Sequence, residues 1–507
     1  MGDLNRTING KLNMLFHHGY GMEVDELPIK NGEQYIRSID RLKSDVILKG
    51  ERISGNLSEH PAFSGLLSTQ ASLYDMQGEP QYKDKMTYVS PLSGEPVGLS
   101  YISPSTKTDL KKRRTMMSLW AGRHHGFLGR APDYLNITLM AYASVADVLM
   151  PLNPEYADNL KNYYIYCREH DIKLSHAFVQ SAASRSSAQS DSFEDSIAAK
   201  VHEVNQDGMI VSGAFFLATQ AATSEEIFIF PPPAVLLDTD SPYTFAFAIP
   251  VNTSGVTLVC RESYVQGDSA YDYPLSSRFE EMDTLVICDH VRVPRDRIFV
   301  YGNAFIAQEL TQQSQFHAQV SHQTLCRYIA KTEFFLGAAE HLGRLVDISA
   351  DSLSEHVSEL LITLEILKSL LVQAEMKAKK NRWGVMVPDQ NAMLVANAYF
   401  PKMYPRMVAV IQKLARSHSV MIPSEKDFHT DAAAGLSKYL TLSGMEAEEV
   451  VAFNRLAWEL SISSFAGRQL QYERFFFGSP QRVTSRLYQD YEGREKMMDT
   501  VSRFLKR

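Results

Sequence analysis

Three polar residues are candidates for chemistry: Arg130, Tyr134 and His176. Arg130 and Tyr134 are four residues apart, so both side chains can reach one face if the turn between them is helical. A histidine can accept a proton, and arginine and tyrosine can donate hydrogen bonds to a negative charge. Taken alone, each has an ordinary interpretation: a structural arginine before a helix, a half-buried core tyrosine, and a hydrogen-bonded histidine at a strand edge.

The elements that must position these residues begin with a helical region. One helix is predicted over 33–48 and a second over 107–123. A long helix with one apolar stripe is predicted from Pro132 through Leu149, because proline suits a first helical turn. The basic run 111–114 is predicted to be a solvated helix face.

A β-rich region follows, and the chain then returns to helices. Asp207-Gly208 predicts a hairpin, and the composition of 181–192 is that of a flexible linker. Amphipathic spacing over 353–374, with further stretches at 392–416 and 446–465, predicts an antiparallel helical bundle. The β runs are predicted at 209–217, 227–230, 244–249, 256–260 and 284–293.

Composition excludes several classes of protein. The chain has 507 residues, of which 45% are hydrophobic and 22% charged, values typical of a globular protein of two or three domains. A net charge of -8 without a basic stripe argues against nucleic acid as a partner. No export signal, lipid anchor or membrane span is expected. The four cysteines form no CxxC pair, which argues against a zinc site or disulfide framework and favours the reducing cytoplasm.

The common signatures of nucleotide and hydrolase sites are missing from the sequence. It contains no GxGxxG, GxxxxGK[ST], HExxH or GxSxG. The activity must therefore be inferred from other motifs.

Residues 126–134, GFLGRAPDY, form the most specific motif. They resemble the G-x-x-G-R-x-P-D-Y signature of the 4-hydroxyphenylacetate 3-monooxygenase family, the oxygenase components of two-component, reduced-flavin-dependent aromatic hydroxylases. The resemblance covers nearly the whole chain after about the first thirty residues. The other matching blocks are 35–39 (YIRSI), 60–63 (HPAF), 175–177 (SHA), 211–214 (VSGA) with 218–219, 271–279 (YDYPLSSRF), and 467–468 with 472–473.

The resemblance implies a mainly α, acyl-CoA-dehydrogenase-like fold with a central β-barrel. Its three domains would be an N-terminal helical domain over 1–160, a middle β-barrel over 161–300 and a C-terminal four-helix bundle over 301–507. It also implies a homotetramer that receives FADH2 from a separate NADH-dependent reductase, which would explain the missing dinucleotide motif. With O2, the reduced flavin would form a hydroperoxide that hydroxylates a phenol ortho or para to its hydroxyl group. No metal is implied.

The resemblance also assigns residues. His176 would be the base for the substrate hydroxyl, with Arg130 and Tyr134 as donors to it. Thr219 would lie near the flavin N5, although its ordinary interpretation is a strand threonine. The segment that reads as a linker would instead be a cofactor loop. The residues implied to contact FAD are Arg130, Phe178, Gln180, Arg185, Ser186, Ser187, Ala188, Thr219, Gly467 and Arg468.

Two departures from the family bear on specificity. Gln180-Ser181-Ala182 stands where many relatives have Asn-Pro-Pro, and the triple proline 231–233 falls near the loop that closes over substrate in relatives. The segment 471–477, QYERFFF, looks more like relatives that act on chlorinated phenols or tyrosine-derived intermediates. The substrate is therefore expected to be a phenol, without a commitment to 4-hydroxyphenylacetate.

Two other functions remain open. One is 4-hydroxybutyryl-CoA dehydratase, a flavin and iron-sulfur enzyme of similar fold, whose cluster needs three cysteines and a histidine. Two of those cysteines would lie in the N-terminal helical domain, yet the first cysteine here is Cys167. The other is a flavin-binding protein of this fold without catalysis, against which the retained Arg130, Tyr134 and His176 argue.

Overall fold

The computed structural model describes residues 28–178, 198–230, 241–265, 267, 269–491 and 493–505. The chain folds as two compact units. The first extends to Gln323 and includes Lys380–Met386, and the second comprises Thr324–Lys379 and Val387–Arg507. The N-terminal helices and the middle β region share the first unit, and the division into three domains at 160 and 300 stays a prediction.

The helices of the first unit begin at polar caps. Asn31 and Thr106 each close a capping box, with Gln34 and Asp109 respectively, which satisfies two otherwise unpaired backbone N–H groups. The helices are Gly32–Leu42, Pro61–Gly78, Lys83–Met86, Lys107–Arg123, Pro132–Ala143, Pro154–Glu169, Ser276–Phe279 and Ala304–Ser314. The helix Phe316–Leu345 follows them.

The predicted helix over 33–48 is too long. It ends at Leu42 because Lys43 adopts a left-handed conformation with a φ of 46°. The next residues form strand β1 (Val46–Leu48), whose apolar, partly β-branched side chains suit a buried strand. The long helix predicted from Pro132 also ends early, at Ala143, and a 3-10 turn over Ala146–Leu149 follows it.

The basic run 111–114 is not wholly solvated as expected. Arg113 is fully buried, and its Nη2 donates to Gln319 Oε1 at 2.6 Å. The helical period explains this, because Arg113 lies three residues after the buried Leu110 and four before the buried Met117. A charged run can therefore include one residue on the inner face of its helix.

The β region forms two main sheets. The predicted runs are confirmed as strands with small shifts at their ends. The strands after β1 are β2 (Glu51–Arg52), β3 (Thr87–Val89), β4 (Pro96–Gly98), β5 (Leu174–Ala177), β6 (Lys200–Asn205), β7 (Gly208–Thr219), β8 (Glu226–Ile229), β9 (Ser241–Pro250), β10 (Val256–Cys260), β11 (Asp283–Pro294), β12 (Ile298–Gly302), β13 (Lys379–Lys380) and β14 (Met386–Val387).

One sheet has the order β2-β1-β10-β11-β7-β6 and the other β12-β9-β8-β5. Among the described strands neither sheet closes on itself. Two open sheets are therefore found where a barrel was expected. The predicted hairpin joins β6 to β7, where Gly208 has a φ of 145° and a Cβ would lie 2.0 Å from the carbonyl oxygen of Val293. Only glycine fits this turn.

A common core lies between the two sheets. Phe215 of β7 packs edge to face on Phe245 of β9, with ring centroids 6.3 Å apart. The cluster also contains Cys260 and Cys288, and all four cysteines of the chain are buried free thiols. The core fixes β5, the last strand of the second sheet, and therefore fixes His176.

The second unit is helical. Its helices after Phe316–Leu345 are Ala350–Met376, Gln390–Ala415, Ala433–Leu440, Ala447–Ser461, Ser464–Phe475, Pro480–Asp490 and Arg494–Leu505. The predicted stretches at 353–374, 392–416 and 446–465 are confirmed as helical, although the last divides into two helices at 461–464. Within the described residues, no helix combines the length and apolar composition needed to cross a membrane.

A buried ion cluster joins two helices of the second unit. Arg327 and Lys331, one helical turn apart, both donate to Glu473, with Arg327 Nη2 2.9 Å from Oε2 and Lys331 Nζ 2.5 Å from Oε1. All three side chains are fully buried. Burial alone would raise the pKa of Glu473, but the two adjacent cations hold it at about 2.

Replacing Glu473 with glutamine should destabilise the protein, because two buried cations would lose their counter-charge. We expect a loss of about 3–5 kcal/mol in the free energy of unfolding, measured by urea denaturation. Since the folded pKa of Glu473 lies below its ordinary value, the stabilisation is present near neutral pH and is lost as the pH falls toward 2.

The control is Glu359→Gln, which breaks an exposed ion pair with Arg406 of 2.6 Å. This change should cost less than about 1 kcal/mol. Equal losses in the two variants would contradict a special role for the buried cluster.

Candidate active site

Three neighbouring elements carry the three predicted catalytic residues. Arg130 ends a turn before the helix Pro132–Ala143, Tyr134 lies in the first turn of that helix, and His176 lies in β5. β5 pairs in parallel with β8, which sets His176 opposite Phe228. A helix start and a strand from distant parts of the sequence therefore meet.

The structure brings Arg130, Tyr134 and His176 together. The Arg130 guanidinium lies over the Tyr134 ring, 4.1 Å from Cζ to the centroid. The Tyr134 and His176 ring centroids are 6.2 Å apart. The three residues are 8%, 5% and 4% exposed, so their polar groups work in an environment nearly free of water.

Aromatic rings surround His176. Its imidazole stacks on Phe230 at 5.0 Å and on Phe178 at 5.6 Å between centroids. Phe178, predicted to contact cofactor, is 38% exposed and lies parallel to Phe230, with an angle of 10° between the ring planes. These rings form an apolar wall of the kind that accepts a flat aromatic ligand.

His176 is held in the neutral form. Burial, followed by the positive charges of Arg130 and Lys173, lowers its pKa well below the ordinary 6.5. Its Nδ1 is buried and has no hydrogen-bond partner among the described residues. A neutral imidazole nitrogen without a partner can accept a hydrogen bond, and then a proton, from a ligand hydroxyl.

Hydrogen bonds hold both the backbone N–H and the carbonyl oxygen of Arg130. Its N–H donates to Glu281 Oε1 at 2.7 Å, and its carbonyl oxygen accepts from Lys173 Nζ at 3.3 Å. Glu281 also accepts from Gln220 Nε2 at 2.8 Å. These contacts fix the turn that aims the guanidinium at Tyr134.

Three charged residues of this region were not predicted from the sequence to belong to the site. Lys173 and Glu281 are fully buried, and Asp133 accepts from Gln323 Nε2 at 3.1 Å. Burial raises the pKa of Asp133 to about 7 and lowers that of Lys173 to about 7. The available signal was a lysine between Ile172 and Leu174, since a charge inside a buried apolar run needs a partner.

Thr219 ends β7 beside the site strand. Its carbonyl oxygen accepts from Ser175 Oγ at 2.8 Å, and its own hydroxyl donates to Asp283 Oδ1 at 2.8 Å. A bulge in β7, opposite β11, leaves Phe216 and Leu217 exposed to 57% and 42%. Two apolar side chains next to a strand-end hydroxyl fit the face of a flavin ring and a polar group at its edge.

The remaining predicted cofactor residues are placed as follows. Gln180, Arg185, Ser186, Ser187 and Ala188 lie outside the described residues, as does the triple proline.

Gly467 and Arg468 belong to the second unit, in the helix Ser464–Phe475. A Cβ at Gly467 would meet no atom within 4 Å, so helix packing does not require glycine there. Arg468 lies over Tyr472 at 4.5 Å. Their contact with a cofactor stays a prediction.

The ionisation of His176 can be observed directly. With ¹³C-labelled histidine, its ring resonance should not titrate between pH 6 and 8, because its pKa lies well below 6.5. His176→Gln assigns the signal by its disappearance. A His176 resonance with a midpoint near 6.5 would contradict the neutral, desolvated imidazole.

Comparison with known proteins identifies the family. The family model described as 4-hydroxyphenylacetate 3-hydroxylase N terminal matches residues 31–300, and its C-terminal counterpart matches 307–506. The probable 4-hydroxyphenylacetate 3-monooxygenase of Bacillus subtilis (strain 168) is 40% identical over 470 residues, covering 92% of this chain and 97% of that protein. The 4-hydroxyphenylacetate 3-monooxygenase oxygenase component of Thermus thermophilus is 38% identical over 481 residues, covering 94% and 97%.

Solved structures agree with these matches. The crystal structure of a 4-hydroxyphenylacetate 3-monooxygenase oxygenase component complexed with FAD and 4-hydroxyphenylacetate has a TM-score of 0.87 and 37% identity, over 94% of this chain and 98% of that chain. An archaeal 4-hydroxybutyryl-CoA dehydratase from N. maritimus has a TM-score of 0.83 over 94% and 95%, but at 19% identity it shows the fold alone. With both family models matched along nearly the whole sequence, the chain belongs to the 4-hydroxyphenylacetate 3-hydroxylase family.

Proposed function

We propose that this protein is the oxygenase component of a two-component monooxygenase that uses FADH2 and O2 to hydroxylate a phenol. The observation that carries the proposal is the neutral His176, whose buried Nδ1 has no partner among the described residues, beside the Arg130–Tyr134 pair. That arrangement suits a ligand with one acidic hydroxyl on a flat ring. The family relationship supplies independent support.

The cofactor is proposed to be FAD, which is bound in solved structures of related oxygenase components. Reduced FAD, when bound, would supply the two electrons that activate O2, so that one oxygen atom is transferred to the ring and the other is released as water. Thr219, Phe216 and Leu217 would hold the flavin ring, and Phe178 would border it. Arg185 to Ala188, Gln180, Gly467 and Arg468 are proposed as further contacts.

The role of the protein in the reaction is to make the substrate ring electron-rich. A phenolate donates electrons to its ring more strongly than a phenol, so deprotonation prepares the ortho or para carbon for attack. We assign the proton to Nδ1 of His176, because a buried neutral imidazole nitrogen is available there.

The negative oxygen needs donors already in place. Arg130 carries a permanent positive charge and lies against the Tyr134 ring, so its position does not depend on substrate binding. The Tyr134 hydroxyl is assigned as the second donor. In a nearly dry site, these interactions are stronger than they would be in water.

Finer features are part of the same proposal. The substrate class extends over 4-hydroxyphenylacetate-like, chlorophenol-like and tyrosine-derived phenols, and the reductase is NADH-dependent and transfers FADH2 by diffusion. The assembly is a homotetramer of acyl-CoA-dehydrogenase-like subunits, each with a middle β-barrel and a four-helix bundle. Four buried free thiols are consistent with a cytoplasmic location.

The direct test mixes the protein with photoreduced FAD, oxygen and a panel of phenols. The panel should include 4-hydroxyphenylacetate, a chlorophenol, 4-nitrophenol and N-acyl tyrosine. Hydroxylated product from at least one phenol is expected. If the protein binds FADH2 yet hydroxylates none of the panel, the proposal loses its main support.

Replacing His176 with alanine should uncouple the reaction. The variant should keep FAD binding and oxygen consumption but release hydrogen peroxide, with hydroxylation at least about 100-fold slower, because the phenol is no longer deprotonated. Product and peroxide are measured per oxygen consumed. The control is His202→Ala on the exposed side of β6, which should leave coupling intact. Normal coupling in His176→Ala would remove His176 from the role of base.

A further inference from the structure

Lys173 is a fully buried cation beneath the proposed phenol site. Its Nζ donates to the carbonyl oxygens of Arg130 at 3.3 Å and Leu174 at 3.1 Å. Its own backbone N–H donates to Glu225 Oε2 at 2.7 Å. The side chain therefore bridges the turn that carries Arg130 and the strand that carries His176.

Within the part of the chain that the structure describes, no carboxylate forms a close ion pair with this ammonium. Glu225 is paired with Lys30 at 2.5 Å, and Glu281 accepts from the neutral donors Arg130 N and Gln220 Nε2. Keeping a lysine here is costly, since the hydrogen bonds of this buried ammonium go to carbonyl oxygens and not directly to a carboxylate. A hydrophobic side chain of similar length would fill the space with a smaller free-energy penalty. The presence of a charge here therefore suggests a functional role.

The charged groups facing Lys173 come from several elements. Glu281 precedes β11, Asp133 lies in the helix Pro132–Ala143, and Glu225 precedes β8, and all three favour the charged lysine. Arg130 opposes it. Burial dominates and brings the pKa of Lys173 to about 7, so the ammonium gains or loses its proton near neutral pH.

We infer that Lys173 is a positioning residue of the proposed phenol site: with Glu281 it holds the backbone of Arg130 from both sides, and its ammonium stabilises the phenolate bound beside His176. This inference rests on the proposed function, because it requires a phenol at that place. The field of Lys173 reaches the site, since it contributes to the lowered pKa of His176. A nearby negative oxygen would experience the same field with the opposite sign.

The two buried charges should therefore titrate together. A bound phenolate favours the protonated lysine, and a protonated lysine favours the phenolate, because opposite charges attract strongly in a buried site. The consequence is that the site lowers the pH at which a bound phenol ionises. Unlike hydroxylation itself, this effect can be measured without the flavin.

The experiment uses 4-nitrophenol, whose phenolate is coloured, in the absence of FAD. Bound 4-nitrophenol is titrated in the wild type, Lys173→Met and Lys173→Arg, with the exposed Lys112→Met as a control. Lys173→Met should raise the pH midpoint of the bound phenol by on the order of one unit, because a buried charge is lost. Lys173→Arg should restore most of the shift, and Lys112→Met should match the wild type.

A second variant keeps the test decisive if Lys173→Met does not fold. Glu281→Gln keeps an oxygen that can accept from Arg130 N but removes the negative charge, so the phenol midpoint should move the other way, to lower pH. A merely structural loosening would move both variants in one direction. Opposite shifts support the inference, and unchanged midpoints in folded Lys173→Met or Glu281→Gln overturn it.

The outcome also separates this inference from the proposed function. If wild-type protein does not bind 4-nitrophenol or any other phenol of the panel, the phenol site itself is wrong. If it binds and hydroxylates phenols while Lys173→Met titrates like the wild type, only the role of Lys173 is wrong.

Discussion

The constraint that organises this protein is that charges removed from water must find partners inside it. In the second unit, Glu473 meets this need for Arg327 and Lys331 and joins two helices. In the first unit, Glu281 and Lys173 form hydrogen bonds to the backbone of Arg130, and Glu225 forms an ion pair with Lys30. The helices and strands of each unit are thus fixed by ionic contacts as well as by apolar packing.

The two networks differ in how completely they are neutralised. The carboxylate of Glu473 is shared by two cations at short range, so the cluster suits a purely structural role. Beside Arg130 the buried ammonium of Lys173 donates to two carbonyl oxygens, and the carboxylates of Glu281, Asp133 and Glu225 act on it electrostatically. A buried ammonium whose direct hydrogen bonds go to carbonyl oxygens is costly for stability but suits a ligand that becomes negative during its reaction.

The sequence predicted the order of elements and pointed to three residues that the structure brings together. Periodicity located the helices over 353–374 and 107–123, and the GFLGRAPDY motif pointed to Arg130 and Tyr134. Prediction from the sequence failed where a residue contacts another that is distant in the chain. Arg113 donates to Gln319, and the backbone N–H of Arg130 donates to Glu281, both more than a hundred residues away. The position of β1 likewise depends on its parallel partner β10.

The buried thiols described with the core have a consequence for an enzyme that handles oxygen. Burial raises the pKa of Cys260 and Cys288 to about 12 and that of Cys167 well above its ordinary value. Peroxide attacks the thiolate and not the thiol, and almost no thiolate exists at these positions at neutral pH. If an uncoupled turnover releases hydrogen peroxide, these three thiols react with it slowly. Their burial therefore protects them from oxidation by the enzyme's own by-product.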